Sequence, residues 1–462
     1  MNLYRSVPLF IVFILTLLGC ANNTVEVVPT PTTVQLSLPT IEATPTDEPE
    51  PEVVEPTATV TLEEATIEPD GVKNIGRIVA IDLNNQLFTV NPDGTNSRQL
   101  TSEDDEIVYL FPAWSPDAES IAVIGAGDKP ATDGIYVFED IDNASSNRIF
   151  TADDQQPIYL FWSPDSENVS FIGPRIGSTL LDLRIVRRDG SERSRYLAFG
   201  QPFYWDWNST SDEIVFNTNR TTHSEFGYVN PNSGDISDEV ASVTGFFNSP
   251  DISFDDAYLA YSGVRNGRAQ IVIEERETGE RVTAQHEGLT ALSWSPTNNQ
   301  LAFISSIGRN QLPYGELHLA DPSGTDETIV NEAVLAFFWS PDGNKIAYLT
   351  ITQPDQNNEA RRGRLSAPSR QIDGLEYQLW VLDVDSAENQ LIGTFRLGDL
   401  FVLQFIPFFD QYSRSHSLWS PDSKAVLLPI ITDDGTNLYR FPVDGSAATE
   451  IAPGQVGFWS NE

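Results

Sequence analysis

Apolar residues recur along this chain with a fixed internal spacing. Trp114 is followed seven positions later by Ile121 and nine later by Val123. Trp162 leads in the same way to Val169 and Phe171, Trp207 to Ile214 and Phe216, Trp294 to Leu301 and Phe303, Trp339 to Ile346 and Tyr348, and Trp419 to Val426 and Leu428. The period of two within each downstream pair is that of a strand with one face buried. Ile252, with Ser253, Asp255, Leu259 and Tyr261, keeps the spacing without the Trp, and Trp459 starts a further copy. Ser-Pro-Asp directly follows Trp114, Trp162, Trp339 and Trp419, which puts a polar turn between two apolar strands.

After each turn the pattern predicts an apolar strand, as at 345–349, and then an alternating one, as at 377–382. A turn rich in Gly and Asp follows, as at 91–95, 188–191 and 321–325, and leads to a fourth short strand. Successive copies start 48, 45, 45, 42, 45, 80 and 40 residues apart. Four short strands in about 45 residues is the period of a propeller blade. The expected fold is therefore all-β: a single β-propeller of about eight four-stranded blades, or seven if the Ile252 copy is not one. Residues 76–80 match a strand that should follow a Trp motif, and Trp459 opens a motif close to the C-terminus. Each end is thus expected to supply half of one blade. Strands at 77–82, 86–91 and 98–101 would pair with one around Val456 to Trp459, closing the ring and removing exposed edges.

Phe338-Trp339-Ser340-Pro341-Asp342-Gly343-Asn344-Lys345-Ile346-Ala347-Tyr348 resembles the WD-like repeat of TolB-type propellers, which also occurs in the propeller domains of prolyl-oligopeptidase relatives. The resemblance covers nearly all of residues 76–462 and implies a β-propeller. It implies little about activity, because such repeats serve scaffolds, inhibitors and enzyme gates. Each repeat Trp (114, 162, 207, 294, 339, 419 and 459) is read as a packing residue between blades. Each Asp of Ser-Pro-Asp is read as a cap on turn amides rather than a Ca²⁺ ligand.

Ahead of the repeats the composition is different. Residues 1–19 carry Arg5 and then an apolar run of about 12 residues, short of the ~20 that span a bilayer, and end in Leu17-Leu18-Gly19 before Cys20. This is similar to a bacterial lipoprotein signal, which implies cleavage before Cys20, lipidation of that residue, and an extracytoplasmic location on a membrane. Two kinds of acyl attachment at Cys20 would give stable anchoring. Residues 20–72 are rich in Thr, Pro and Glu and are expected to form a disordered tether, leaving 73–462 for the propeller.

Charge narrows the partners. Lys plus Arg total 27 against 67 Asp plus Glu, a formal charge of −40, so nucleic acid is not an expected partner. The single Cys excludes an intrachain disulfide, no cofactor is expected, and the chain is expected to be a monomer.

The 80-residue step holds two insertions, 351–374 and 396–417, which blade connectivity puts on one face of the disc. The first carries Arg361, Arg362, Arg364 and Arg370; the second carries the apolar run 400–409 with Phe405, Phe408 and Phe409. One reading is a docking surface with an Arg clamp and aromatic anchors. The other is that the aromatic run packs as an extra core strand while the Arg loop neutralises nearby acids. No Gly-x-Ser-x-Gly elbow occurs. Propeller lyases with similar repeats place His and acidic metal ligands near the ring axis, so convergence of His223, His286 and His416 would favour such an enzyme; His318 is the fourth histidine. Two classes of function stay open: a non-enzymatic recognition propeller that binds a protein, peptide or cell-wall glycan, and a metal-assisted polysaccharide lyase or hydrolase.

Overall fold

The structure is a computed structural model that describes residues 76–460 apart from 128–131, 142–145, 153–154, 220–223, 238–248, 266–267, 307–312 and 353–374. The expected signal, Cys20 and the expected tether lie outside the described residues. The compact unit Lys73–Glu462 is built from antiparallel sheets.

Four sheets have the simple order the repeat predicts. Ile107–Trp114, Ser120–Gly127, Gly134–Glu139 and Asn147–Thr151 pair in sequence, and the copies that begin at Tyr159–Trp162, Phe203–Trp207 and Asp251–Ile252 do the same. A seven-stranded sheet is two such units fused through one 14-residue strand, Asp326–Trp339. Its first half pairs with Gly315–Ala320 and its second half with Lys345–Ile351. Ala425–Thr432, Gly435–Pro442 and Thr449–Pro453 form a sheet whose innermost position is reduced to a single bridge, Trp419 opposite Val426. In the last sheet the C-terminal strand Val456–Trp459 pairs with Ile78–Ile81, Trp459 opposite Ile78 and Val456 opposite Ile81, followed by Leu87–Val90 and Arg98–Gln99. The two ends of the repeat region thus share one sheet. The third and fourth strands of the long interval are Tyr377–Asp383 and Asn389–Phe395.

The Trp-Ser-Pro-Asp motif works as a unit. Ser115 Oγ accepts the Ser120 N–H at 2.9 Å and donates to Asp117 Oδ1 at 2.5 Å, while Asp117 Oδ1 accepts the Glu119 N–H. Ser163 with Asp165 and Ser340 with Asp342 repeat this geometry. Burial alone would push the Asp342 carboxyl up; the Ser340 hydroxyl and the Asn344 amide outweigh it and hold the group below its ordinary value. The residue after the Asp has positive φ, as at Ala118, Ser166 and Gly343. Ala118 and Ser166 show that other residues take this φ, but at Gly343 a side chain would also strike Thr297 Oγ1, which favours glycine there. The turns also bind neighbours: Ser166 Oγ accepts the Asp117 N–H of the preceding unit, and Ser423 Oγ that of Asp342.

The Trp side chains tie the units together. Trp162 Nε1 donates to Ala113 O, Trp294 to Asp251 O, Trp339 to Ser293 O and Trp419 to Phe338 O, all at 3.0–3.1 Å. Each acceptor is the residue just before the motif position of the preceding unit. Asp251, which precedes Ile252, serves as well as the others, so the degenerate copy keeps the relay. Trp114 and Trp459, which flank the sheet shared by the two ends, make no such bond. Trp162→Phe is therefore expected to destabilise by about 1–3 kcal/mol through the orphaned carbonyl and the lost ring volume. Trp114→Phe loses only the volume and should cost less in the same denaturant titration.

Candidate functional site

The second insertion is the place where the structure departs most from a plain repeat. Residues 397–417 leave the strand Asn389–Phe395, are pinned by Gly398 N–H to Pro429 O at 2.9 Å, and turn through Phe401–Phe405, Ile406–Phe408 and Phe409–Tyr412 as three short helical pieces of different pitch. Pro407 has no N–H to donate, which limits regular α-helix here. The apolar run forms neither an extra core strand nor a set of surface anchors.

Its partners come from the innermost strands of many units. Phe405 stacks on Phe458 at 5.8 Å, Tyr412 meets Phe111 at 5.3 Å and Tyr159 at 4.5 Å, and Phe409 packs edge-on against Phe337 and Phe338. Gln411 bridges the backbone of Trp205, with Oε1 accepting its N–H at 3.0 Å and Nε2 donating to its carbonyl at 2.9 Å. Asp410 Oδ2 accepts the Ser249 N–H at 3.3 Å. These contacts fall on six different repeat units, and a segment of some twenty residues can reach six innermost strands only by lying across the ring axis. The insertion is a plug. Phe405 and Phe409 are 0% and 1% exposed, which removes them from the expected docking surface; Phe408 is half-buried against Tyr412.

A polar knot fastens the plug on one side. Arg414 lies 3.3 Å from Asp206 Oδ2 and 3.6 Å from Asp251 Oδ2, donates to Pro250 O, and has a side chain only 9% exposed. Both carboxylates also accept backbone N–H groups of the next unit, Asp206 from Ile252 at 2.9 Å and Asp251 from Trp294 at 2.7 Å. With Asp410 nearby, three buried carboxyls face one guanidinium, two negative charges too many if all ionise. Burial raises the Asp251 carboxyl well above its ordinary value and Arg414 only partly offsets this. Asp410 is pushed up to about 6 by burial against the same Arg414 and the Ser249 and Gln411 amides.

The knot was missed in the sequence, although a signal existed. The residue before the motif position is Ala113, Phe161, Ser293, Phe338, Leu418 or Phe458 in other copies, but Asp206 and Asp251 in two consecutive ones.

Among the described residues the histidines do not converge. His416, 1% exposed, sits in the plug with Nδ1 2.6 Å from Ser415 Oγ and Nε2 3.4 Å from Phe111 O, and burial lowers it to about 4. His286 is also held to about 4 by burial, with Ser262 at 3.4 Å. His318 stacks on Phe303 at 5.0 Å. Among the described residues no group of three or more His, Cys, Asp or Glu could hold a metal ion. His223, Arg361, Arg362, Arg364 and Arg370 lie outside the described residues.

No protein-family model matches the chain, and no curated protein matches it in sequence. Solved structures similar to it include TolB from Acinetobacter baumannii, 13% identical over 77% of this chain and 82% of that one with a TM-score of 0.37. Oligogalacturonate lyase from Vibrio parahaemolyticus is 10% identical over 75% and 86%, TM-score 0.46. The β-propeller domain of the Trilobed protease from Pyrococcus furiosus is 12% identical over 75% and 95%, TM-score 0.45. These structures include enzymes as well as TolB, and similarity at this level concerns the fold alone.

Two outcomes follow from the plug. Phe405→Ala should cost about 3–5 kcal/mol in a denaturant titration, as for a core aromatic, whereas a surface anchor would leave stability unchanged. A carboxyl raised by folding stabilises the fold while protonated; its contribution is complete below about 4 and is lost as pH rises through the raised value. His416 and His286, lowered by burial, act in the opposite sense below about 6.5, so variant and wild type are compared directly. The melting temperature of Asp251→Asn relative to wild type is expected to climb between pH 5 and 8, and parallel curves would contradict the knot.

Proposed function

We propose that this chain is an envelope-anchored, non-enzymatic recognition propeller that binds a protein, peptide or cell-wall glycan on the face bearing its two insertions. The observation that carries the reading is the plug: the chain's own residues 397–417 occupy the axis, where a propeller enzyme would need a cavity, and they do so with packed aromatics. That leaves the rim and its loops for recognition. The first insertion carries Arg361, Arg362, Arg364 and Arg370 in a chain whose net charge is −40, a basic stretch of sequence suited to a carboxylate or an acidic partner.

Anchoring rests on the sequence ahead of the propeller. Lipid on Cys20 and a tether of about 50 residues would hold the domain on the outer side of a bacterial membrane, with a reach of up to roughly 150 Å if fully extended. Among the described residues no helix is long and apolar enough to cross a membrane. The metal-assisted lyase or hydrolase reading draws no support from the separate settings of His286, His318 and His416.

Crosslinking on intact cells followed by mass spectrometry is the test. Removal of residues 353–370 is expected to abolish the dominant crosslinked partner while the melting temperature stays within a few degrees of wild type; an unchanged crosslink pattern would remove the Arg loop as a docking element. Cys20→Ala should move the protein from the membrane pellet to the soluble fraction, and retention in the pellet would contradict the lipid anchor.

A further inference from the structure

A small cleft opens beside the base of the first insertion, between the bend of the long strand Asp326–Trp339 and the strands that follow it in the same sheet. It has a volume of about 110 Å³ and is lined by Glu332, Tyr348, Thr350, Gln378, Trp380 and Asn389. At about 30 Å³ per water it holds three or four waters, the size of one edge or one hydroxymethyl arm of a sugar ring. Thr350 and Gln378 form the cross-strand pair one step from Ile351 and Tyr377, the last pair before the chain leaves for the insertion.

The walls combine two kinds of chemistry. Tyr348 and Trp380 face each other across the strand pair, parallel within 6° with centroids 6.3 Å apart. Tyr348 is buried and its hydroxyl is committed to Asn389 Oδ1 at 2.9 Å, whereas Trp380 is only half-buried. Thr350 Oγ1 donates to Gln378 Oε1 at 3.3 Å, and among the described residues the Gln378 amide N–H groups have no partner. Among the described residues the Trp380 indole N–H and the exposed Glu332 carboxylate also lack a hydrogen-bond or ion-pair partner. Donors, an acceptor and an aromatic surface therefore converge on one cleft with unused capacity, the composition of a site that orients a small polar ligand against an apolar wall.

We infer that this cleft is a subsite for a neutral saccharide ring, which lays its C–H face against Trp380 and hydrogen-bonds through its hydroxyls to Gln378, Asn389 and Glu332. The ligand is neutral because Glu332 stands at the mouth and the chain carries a net charge of −40, both of which repel uronic acids and sugar phosphates. Planar amide and carboxylate side chains suit vicinal hydroxyl pairs, and the flat indole suits the axial hydrogens of a pyranose. A peptide would find no unpaired strand edge here, since Lys345–Ile351 and Tyr377–Asp383 are paired on both sides. The assignment rests on the recognition reading above and specifies its ligand: a glycan, read partly on the outer sheet rather than on the axis.

Isothermal titration of the full chain with N,N′,N″-triacetylchitotriose and with maltotriose as neutral probes, and with trigalacturonate as an anionic one, tests it. Saturable binding of at least one neutral trisaccharide is expected, with trigalacturonate at least tenfold weaker. Trp380→Ala should weaken binding at least tenfold; Gln378→Ala and Glu332→Gln, at positions that are not part of the core, should weaken it several-fold with unchanged melting. No binding of either neutral probe, equal binding by Gln378→Ala and Glu332→Gln, or preference for trigalacturonate overturns the inference. Crosslinking through residues 353–370 is read independently, so a failure here with a retained crosslink removes the subsite and leaves the docking face, and the reverse result does the opposite.

Discussion

The structure depends on one repeated hydrogen bond, the indole N–H of a Trp donated to the carbonyl just before the equivalent position of the preceding unit. It is seen at Trp162, Trp294, Trp339 and Trp419, where the acceptors are Ala113, Asp251, Ser293 and Phe338. A Trp buries a large ring and keeps one polar atom that must find a partner, so a single side chain fixes both the distance and the rotation between neighbouring sheets. The Ser-Pro-Asp turn then locks the next strand in register through its serine and aspartate, and a second set of bonds, such as Asp342 N–H to Ser423 Oγ, joins turn to turn. The indole bond is missing at Trp114 and Trp459, on either side of the sheet assembled from both ends, and at Trp207, whose indole donates to Ser170 Oγ instead.

Sheets arranged this way around an axis leave space at the centre, and this chain fills it with its own residues. Phe401, Phe405 and Phe409 supply the apolar filling, and Gln411 satisfies the Trp205 backbone that would otherwise face an empty channel. Arg414 answers a different problem. Asp206 and Asp251 cap backbone amides of their neighbours from within the core, and a cation is needed where two such carboxylates are buried together. Burial is the physical reason for the raised Asp251 and Asp410 carboxyls, and at Asp251 the neighbouring Asp206 adds to it. A channel filled from within moves the search for function to the rim and to the cleft beside Ile351 and Tyr377.

Much of the fold was legible because its determinants are local and repeated. Trp, the apolar residues seven and nine positions on and the turn between them report strand, turn and strand in a dozen residues, and the copy at Ile252 keeps that spacing and forms a sheet of the same kind. The pairing of the two ends was legible too, as a half-copy at 76–80 and another at Trp459. The plug was not. A run such as 400–409 carries no periodicity to separate strand from helix, and the order Phe401–Phe405, Ile406–Phe408, Phe409–Tyr412 is imposed by the shape of the channel and not by propensity. Phe405 and Phe409 read as anchors because aromatic residues suit both cores and interfaces, and only burial tells the two apart. The cleft at Trp380 joins residues from 332 to 389 through sheet register, information that resides in the pairing and not in any motif.

Hydrogen–deuterium exchange of the amides in residues 397–417 tests the central claim most directly. Gly398, Val402, Ser413 and His416 donate backbone hydrogen bonds to Pro429, Gly398, Phe409 and Tyr412 among buried aromatics. The account predicts protection of these amides comparable to that of the innermost strands, lost only on global unfolding. Exchange at the rate of an exposed loop would contradict it, and would return the axis of the propeller to the list of available binding sites.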